Sequence, residues 1–295
     1  MSLRVEMLQV ARVAPTVLGE AGGLVQEFLR KQQNADGGFG DRAGKSDLYY
    51  TVFGLDALAV FQAEPNLDAV EKFLRTFGEG DGLDLVHLSC LTRCWGSLGV
   101  KRMPKGLRAV LLNRLEAFRK PCGGWDNNLK REHGTAYGSF LALGAYQDMG
   151  KLPPKPLRIL QSLKKLETPD HAWNNHPNLP IGSTNPTAGA VVLLNNLHLP
   201  INAEVGQWLR TRLHPQGGFV AVPDAPMPDL LSTSTALHAL AALDLRLTAG
   251  ETECCLDFVD SLWDANGGFH GHWADDFLDC EYTFYGLLAL GHLSL

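Results

Sequence analysis

The chain has no excess of positive charge: 26 Lys and Arg stand against 32 Asp and Glu, giving a formal net charge of −6 and a pI near 5.9. Without a broad cationic footprint, nucleic acid is not an expected partner. No apolar run approaches the roughly 20 residues of a membrane span. The first segment, MSLRVEMLQVARVAPTVLGEAGG, is interrupted by charges and Pro15, so it lacks the apolar stretch of a signal peptide. The six cysteines form no C-x-x-C pair, and a chain of 295 residues buries enough core to fold without disulfide staples. A reduced, cytoplasmic setting is therefore expected. What remains is an ordinary globular composition, 45% hydrophobic and 20% charged.

Within that composition a Gly-Gly-aromatic turn recurs, as GGFG at Gly37, GGWD at Gly123, GGFV at Gly217 and GGFH at Gly267. The separations are 86, 94 and 50 residues, and the first two read as doubled periods. Halving them points to hidden units near residues 80 and 170, in FGEGDGLDLVHLSCL and HAWNNHPNLPIGSTNPTAGAVVLL. The chain then divides into six units of 43 to 50 residues.

Each unit has the same internal order. In LVQEFLRKQQ the apolar Leu24, Val25, Phe28 and Leu29 fall at helical spacing with charges opposite, the pattern of a helix with one wet face. After the glycine turn and a polar loop come segments such as YYTVFGLDALAVF, GTAYGSFLALGAY, STSTALHALAAL and EYTFYGLLALGHL. These are apolar on nearly every side, as expected of helices surrounded by other helices. The pattern predicts an outer and an inner helical layer joined by glycines in left-handed conformations. Periodicity alone leaves open whether the hairpins form an open solenoid or a closed ring.

The order Gly-Gly-Phe, basic loop, Asp, aromatics, Thr and small-apolar helix resembles the repeat of protein prenyltransferase β subunits and of squalene and terpene cyclases. It is most similar to Rab geranylgeranyltransferase-type β subunits. The resemblance spans nearly the whole chain and is most specific from Gly37 to Leu58 and from Gly267 to Leu290. It implies one all-α domain over residues 1–295, an (α/α)6 toroid of six helical hairpins with twelve principal helices. An apolar funnel between the inner helices would hold an isoprenoid, as the diphosphate, to be transferred or cyclised. The related transferases also need an α-subunit-like partner, which this chain does not contain. A non-catalytic toroid that binds a lipid or a protein is the alternative, and sugar hydrolysis by two carboxylates at a wide acidic mouth is a weaker one.

Aligning the units on Thr51, Thr135, Thr187, Thr233 and Thr283 places Asp47, Arg131, Ser183, Asp229 and Asp279 four positions earlier, around one mouth. Each Asp there also reads simply as a helix N-cap, worth about 1 kcal/mol. The resemblance implies a zinc ion held by the Asp and Cys of a D-x-C-Y motif and by a His in the next repeat. In LDCEYTFY, Asp279 and Tyr282 match, but Glu281 stands at the Cys position. Cys280 is one residue early and turned by about 100°, and Tyr50 stands where the His belongs.

In a second frame Asp47 and His87 match while Tyr49 replaces the Cys. There Arg42 and Lys45 precede Asp47 nearly as the family's diphosphate-binding Arg and Lys do. Zinc stays open, with Asp279, Asp47 and His87 as candidate ligands. Asp279, Glu281 and Asp47 are the expected catalytic carboxylates, through carboxylate chemistry or metal ligation; the cyclases of this superfamily protonate an alkene or epoxide with a D-x-D-D motif, and ADDFLDCE supplies Asp275, Asp276, Asp279 and Glu281 without matching it. Arg42, Lys45 and His133 are expected to meet phosphate. Tyr50, Tyr137, Tyr282 and Tyr285 are expected to line the funnel, together with Tyr49, Phe284, Trp125 and Trp173.

Overall fold

A computed structural model describes residues 2–295. Two short helices, α1 (Leu3–Ala11) and α2 (Ala14–Leu18), precede six hairpins in which an outer helix is followed by an inner one. The hairpins are α3 (Ala21–Gln32) with α4 (Leu48–Val60), α5 (Leu67–Arg75) with α6 (Leu85–Leu98), and α7 (Leu107–Glu116) with α8 (Ala136–Asp148). They continue as α9 (Arg158–Lys164) with α10 (Thr184–Asn196), α11 (Glu204–Arg210) with α12 (Leu230–Ala242), and α13 (Ala249–Ser261) with α14 (Cys280–Leu293). One antiparallel strand pair, β1 (Phe39–Gly40) with β2 (Ser46–Asp47), sits in the first hairpin's loop. Each inner helix packs on the inner helices before and after it, and α14 packs on α4, so the six hairpins close into an all-α toroid. The hidden units near residues 80 and 170 are the second and fourth hairpins.

The turns show why the sequence repeats. Gly37, Gly123, Gly217 and Gly267 all have positive φ, from +84° to +102°. A Cβ at these positions would stand 1.9 to 2.4 Å from atoms of Ala69, Arg158, Cys254 or Leu24, each in the outer helix of the following unit. Gly267, in the last unit, seats on Leu24 in the first, which is the closure itself. In the fourth unit His171 takes the left-handed position, with φ +67°, and its Nε2 lies 3.0 Å from Glu204 of the next outer helix.

Behind the turn of five units, the four with a glycine pair and the fourth unit with His171-Ala172, the aromatic residue is clamped from the inner helix. The backbone N–H of Phe39, Trp125, Trp173, Phe219 and Phe269 donates to the hydroxyl of Thr51, Ser139, Thr187, Thr233 and Thr283 at 2.8 to 3.4 Å. The residue three positions further along each inner helix is small: Gly54, Ala142, Ala190, Ala236 and Gly286. At Gly54 and Gly286 an added Cβ would strike the ring of Phe39 or Phe269. This register corrects the alignment on Thr135. Thr135 caps α8, and Ser139 is the counterpart of Thr51. Arg131 is therefore a loop residue, paired with Asp126 at 3.1 Å.

Only Asp56, Arg93, Asp148 and Glu281 bring charge into the inner helices. Three of them join Arg4 of α1 in one network away from the helix N-termini: Arg4 with Asp56, Arg93 with Asp56 at 3.1 Å, and Arg93 with Asp148 at 3.2 Å. Two cations against two anions let these groups be buried without net charge. The network anchors α1, which packs across α4, α8 and α14 near their C-terminal halves and closes that end of the ring. The twelve helices expected from the repeat are thus supplemented by a plug that the repeat did not foretell. Among the described residues no helix is long and apolar enough to cross a membrane.

Gly267→Ala is expected to cost at least about 2 kcal/mol, since a left-handed L-residue costs roughly 1–2 kcal/mol before the clash with Leu24 is counted. Denaturant unfolding of this variant beside Gly250→Ala, where an added Cβ meets open space, checks that the loss comes from ring closure rather than from glycine replacement in general.

Candidate active site

The N-termini of the inner helices gather at the mouth opposite α1. Consecutive units touch there: Leu85 N–H donates to Asn127 Oδ1, Tyr137 N–H to Asn175 Oδ1, and Leu230 N–H to the Gly271 carbonyl. Asp47, Asp84, Asp229 and Asp279 each accept a backbone N–H two or three residues ahead, at 2.7 to 2.9 Å. All four are therefore N-caps, and only their remaining oxygens are available for other chemistry.

The remaining oxygens of Asp47 and Asp279 have partners of their own. Asp279 Oδ2 accepts from Arg42 Nε at 2.9 Å, while the guanidinium grips Asp275 at 2.8 and 3.2 Å. Asp41 shapes the loop that presents Arg42, its carboxylate accepting from Ala43 N and Lys45 N. The guanidinium also lies over the rings of Phe277 and Tyr282, 5.3 and 5.4 Å from their centroids. Burial raises the Asp279 pKa, whereas Asp275 is held low against its partial burial by the Phe277 N–H and Arg42.

The sequence led to the expectation of an uncompensated cationic pair at Arg42 and Lys45. Closure of the ring instead brings two carboxylates of the last unit onto Arg42, and Lys45 is exposed on the loop. Asp47 faces His87, whose Nε2 is 3.4 Å away and whose Nδ1 is 2.8 Å from Asp84. Partial burial alone would lower the His87 pKa, but the two carboxylates raise it.

Glu281 stands one turn before Tyr285 on α14 and accepts a hydrogen bond from the Tyr49 hydroxyl at 2.5 Å. Burial pushes its pKa up to about 7; the Tyr49 hydrogen bond opposes the rise and Asp279 adds to it. Below Glu281 lies an aromatic nest. Tyr49 meets Tyr50 and Phe53 at centroid distances of 5.7 and 5.0 Å, and Phe53 meets Phe284 and Tyr285 at 5.9 and 5.4 Å.

Tyr49, Tyr137, Phe140 and Tyr285 wall the central cavity, of about 290 Å³, which Val192 and Leu288 continue on the far side. The same four aromatics also border a smaller pocket of about 60 Å³ that reaches Arg4, Asp56 and Arg93 at the plug. Tyr137 and Tyr285 thus line the cavity. Tyr50 and Tyr282 belong to the cluster around Arg42, their phenols pushed up to about 12 by burial.

Trp125 and Trp173 are not funnel residues. Each indole N–H donates to an outer-layer carbonyl, of Leu115 or Leu163, so both rings pack between the layers. His133 is half-buried in the loop before α8 and is not among the cavity-lining residues. The sequence reading missed Phe140, Asn185, Thr235 and His238 in the cavity wall. The signal for His238 was present as the one titratable residue in LLSTSTALHALAA.

The zinc implied by the resemblance does not fit the residues present. Asp279 is taken by its cap and by Arg42, Glu281 by Tyr49, and Cys280 is wholly buried with its thiol pKa driven up by burial. His87 has its two nitrogens turned to two different carboxylates, Asp47 and Asp84, and among the described residues no three His, Cys, Asp or Glu side chains are placed to hold one metal ion together.

The chain matches the prenyltransferase alpha-alpha toroid domain over residues 20–89 and 187–293. No curated protein matches it in sequence. Among solved structures, the type II terpene cyclase MstE from Scytonema, in complex with geranylgeranyl dihydroxybenzoate, aligns with a TM-score of 0.59 at 14% identity, covering 98% of this chain and 97% of that one. The same cyclase with its product merosterolic acid A gives 0.60 at 14% identity over 99% and 97%. A glycosidase in complex with glucose gives 0.57 at 12% identity over 99% and 96%. At such identities these likenesses show the fold alone.

Arg42→Ala is expected to lower stability by about 2 kcal/mol near neutral pH, less than a fully buried pair because the guanidinium is one-third exposed. Removing Arg42 withdraws a contact that holds Asp275 low and leaves Asp279, already raised, without its cation. The deficit is therefore largest where both acids are ionised and shrinks as pH falls through the carboxylate range. Urea titrations of variant and wild type at about pH 7 and about pH 4 check this.

Proposed function

The chain belongs to the prenyltransferase alpha-alpha toroid family, and from the chemistry of its cavity we propose that it binds an isoprenoid in the central funnel and cyclises or isomerises it by acid chemistry at the mouth. The observation that carries this reading is Glu281, half-buried and bonded to the hydroxyl of Tyr49, which itself walls the aromatic cavity, with its pKa pushed up to about 7 by burial. A carboxylic acid kept protonated near neutrality is a proton carrier matched to its working pH. Its proton adds to an alkene carbon, the π pair forms the new C–H bond, and a tertiary cation remains. The Tyr49 hydroxyl, bonded to Glu281, stabilises the carboxylate left behind. The faces of Tyr49, Phe53 and Tyr285 stabilise positive carbon through their quadrupoles. Loss of a proton from a neighbouring carbon back to Glu281 restores both groups, so the reaction needs no co-reactant.

The mouth favours an uncharged isoprenoid over a diphosphate. Arg42 with Asp275 and Asp279 carries a net charge of about −1, so a diphosphate would first have to displace two carboxylates. Sugar hydrolysis is disfavoured for a related reason. It needs two carboxyl groups flanking a polar cleft, whereas the cavity walls are mainly apolar and the one carboxylate in its lower pocket, Asp56, is held by two arginines.

Two experiments test the reading. Glu281→Gln is expected to reduce turnover of polyprenyl substrates by roughly 10²–10⁴-fold while leaving binding within about threefold. Wild-type turnover is expected to fall as pH rises through about 7, because the acid form is lost above its pKa. Binding by wild type without any turnover would place the chain among non-catalytic lipid carriers. Calorimetric titration with farnesol and farnesyl diphosphate addresses the head group: the diphosphate is expected to bind no more tightly than the alcohol. A tenfold preference for the diphosphate that disappears in an Arg42→Ala, Lys45→Ala double variant would restore the cationic reading of that loop.

A further inference from the structure

The central cavity has two unlike walls. Units one, three and six contribute Tyr49, Tyr137, Phe140 and Tyr285, whereas units four and five contribute Asn185, Thr235 and His238. Thr235 Oγ1 lies 2.9 Å from Asn185 Oδ1 and 2.8 Å from the Leu231 carbonyl of its own helix, which holds the hydroxyl and the amide side by side on this wall. His238 lies one turn deeper along α12, nine residues from the cap at Asp229 and so roughly 13 Å below the mouth at 1.5 Å per residue.

His238 is buried, at 5% exposure, and its Nδ1 is 2.9 Å from Nε2 of His292 on α14. Its other nitrogen, Nε2, is buried without a hydrogen-bonding partner. Leaving such a group unsatisfied costs on the order of 1–3 kcal/mol; the ring borders the cavity while Nε2 itself is shielded by packing, so a small turn of the ring that let a ligand atom reach the nitrogen would recover that cost. Burial depresses both imidazoles, to about 4 for His238 and about 3 for His292, so the pair is neutral at ordinary pH and attracts no ion.

We propose that His238 is a specificity-determining residue that receives a hydroxyl group of the isoprenoid at the inner end of the funnel. The inference rests on the isoprenoid reading and adds the ligand's chemical class and orientation. A hydroxyl answers either arrangement of the histidine pair. If His238 Nδ1–H donates to His292, the free Nε2 accepts from the hydroxyl; if His292 donates, Nε2–H donates to it. A ligand seated hydroxyl-first also leaves its hydrocarbon end toward Glu281, where an alkene is needed.

The test titrates wild type, His238→Leu and His238→Gln with farnesol and with the triene that lacks only its hydroxyl. A neutral hydrogen bond of the usual net strength is expected to make wild type prefer the alcohol about five- to tenfold. His238→Leu is expected to bring that preference to within about twofold without weakening the triene. His238→Gln, which keeps a polar group at the position, is expected to retain part of it and guards against a Leu variant that fails to fold. Equal binding of both compounds by wild type would overturn the inference, leaving His238 as the structural partner of His292 and the isoprenoid reading intact. Binding of neither compound by wild type would remove the isoprenoid reading and this inference with it.

Discussion

At four places the backbone of a turn approaches the next outer helix so closely that no side chain fits between them. Gly37, Gly123, Gly217 and Gly267 each sit where a Cβ would overlap the backbone or Cβ of the following unit. Because they adopt positive φ as well, glycine satisfies steric and conformational demands at once. The aromatic residue just after the glycine pair fills the space beneath the inner helix, held by a hydroxyl of that helix and admitted by a Gly or Ala one turn on. Spacing between units, spacing between layers and the start of each inner helix are thereby set by the same short segment. The ring closes because the last turn makes on α3 the contact that earlier turns make on their successors.

This arrangement governs where charge is placed. An inner helix has neighbours on both sides, an outer helix behind it and the cavity in front, so it has no wet face for charged residues. The four that occur are accordingly confined to the two ends. At the plugged end Asp56, Arg93 and Asp148 are balanced with Arg4 and serve packing. At the open end Glu281 has a tyrosine hydroxyl rather than a cation in direct contact, too little to offset the burial that raises its pKa, whereas the Phe277 N–H and Arg42 together hold Asp275 low.

The repeat, the layers and the closed toroid were legible in the sequence because each is written locally, in glycine pairs, one-sided and all-round apolar helices, and the resemblance those motifs carry. The two units without the Gly-Gly-aromatic turn were found by period alone. What could not be read was contact between distant units. Arg42 meets Asp275 and Asp279 across 233 and 237 residues of sequence, and only closure brings them together. The register of the third unit was misjudged because Thr135 and Ser139 both offer a hydroxyl near the start of α8, and only the bond to Trp125 N–H distinguishes them. Trp125 and Trp173 looked like funnel aromatics by type, but their position after the turn commits them to the space between layers.

The cavity that results has polar chemistry at its two ends and little between them. Near the mouth, Arg42 is surrounded by carboxylates and aromatic faces, and the acid beside it is neutral for part of the ordinary pH range. At the inner end the histidines are neutral because burial prevents protonation. A ligand fully charged at one end would find no uncompensated opposite charge at either, whereas a hydrocarbon bearing a small uncharged polar group would match both the aromatic wall and the imidazole. Since apolar contact is non-directional, the walls can retain a flexible chain without fixing its orientation. Direction has to come from the ends: an imidazole nitrogen that lacks a partner and a carboxyl group whose proton is held only up to about pH 7.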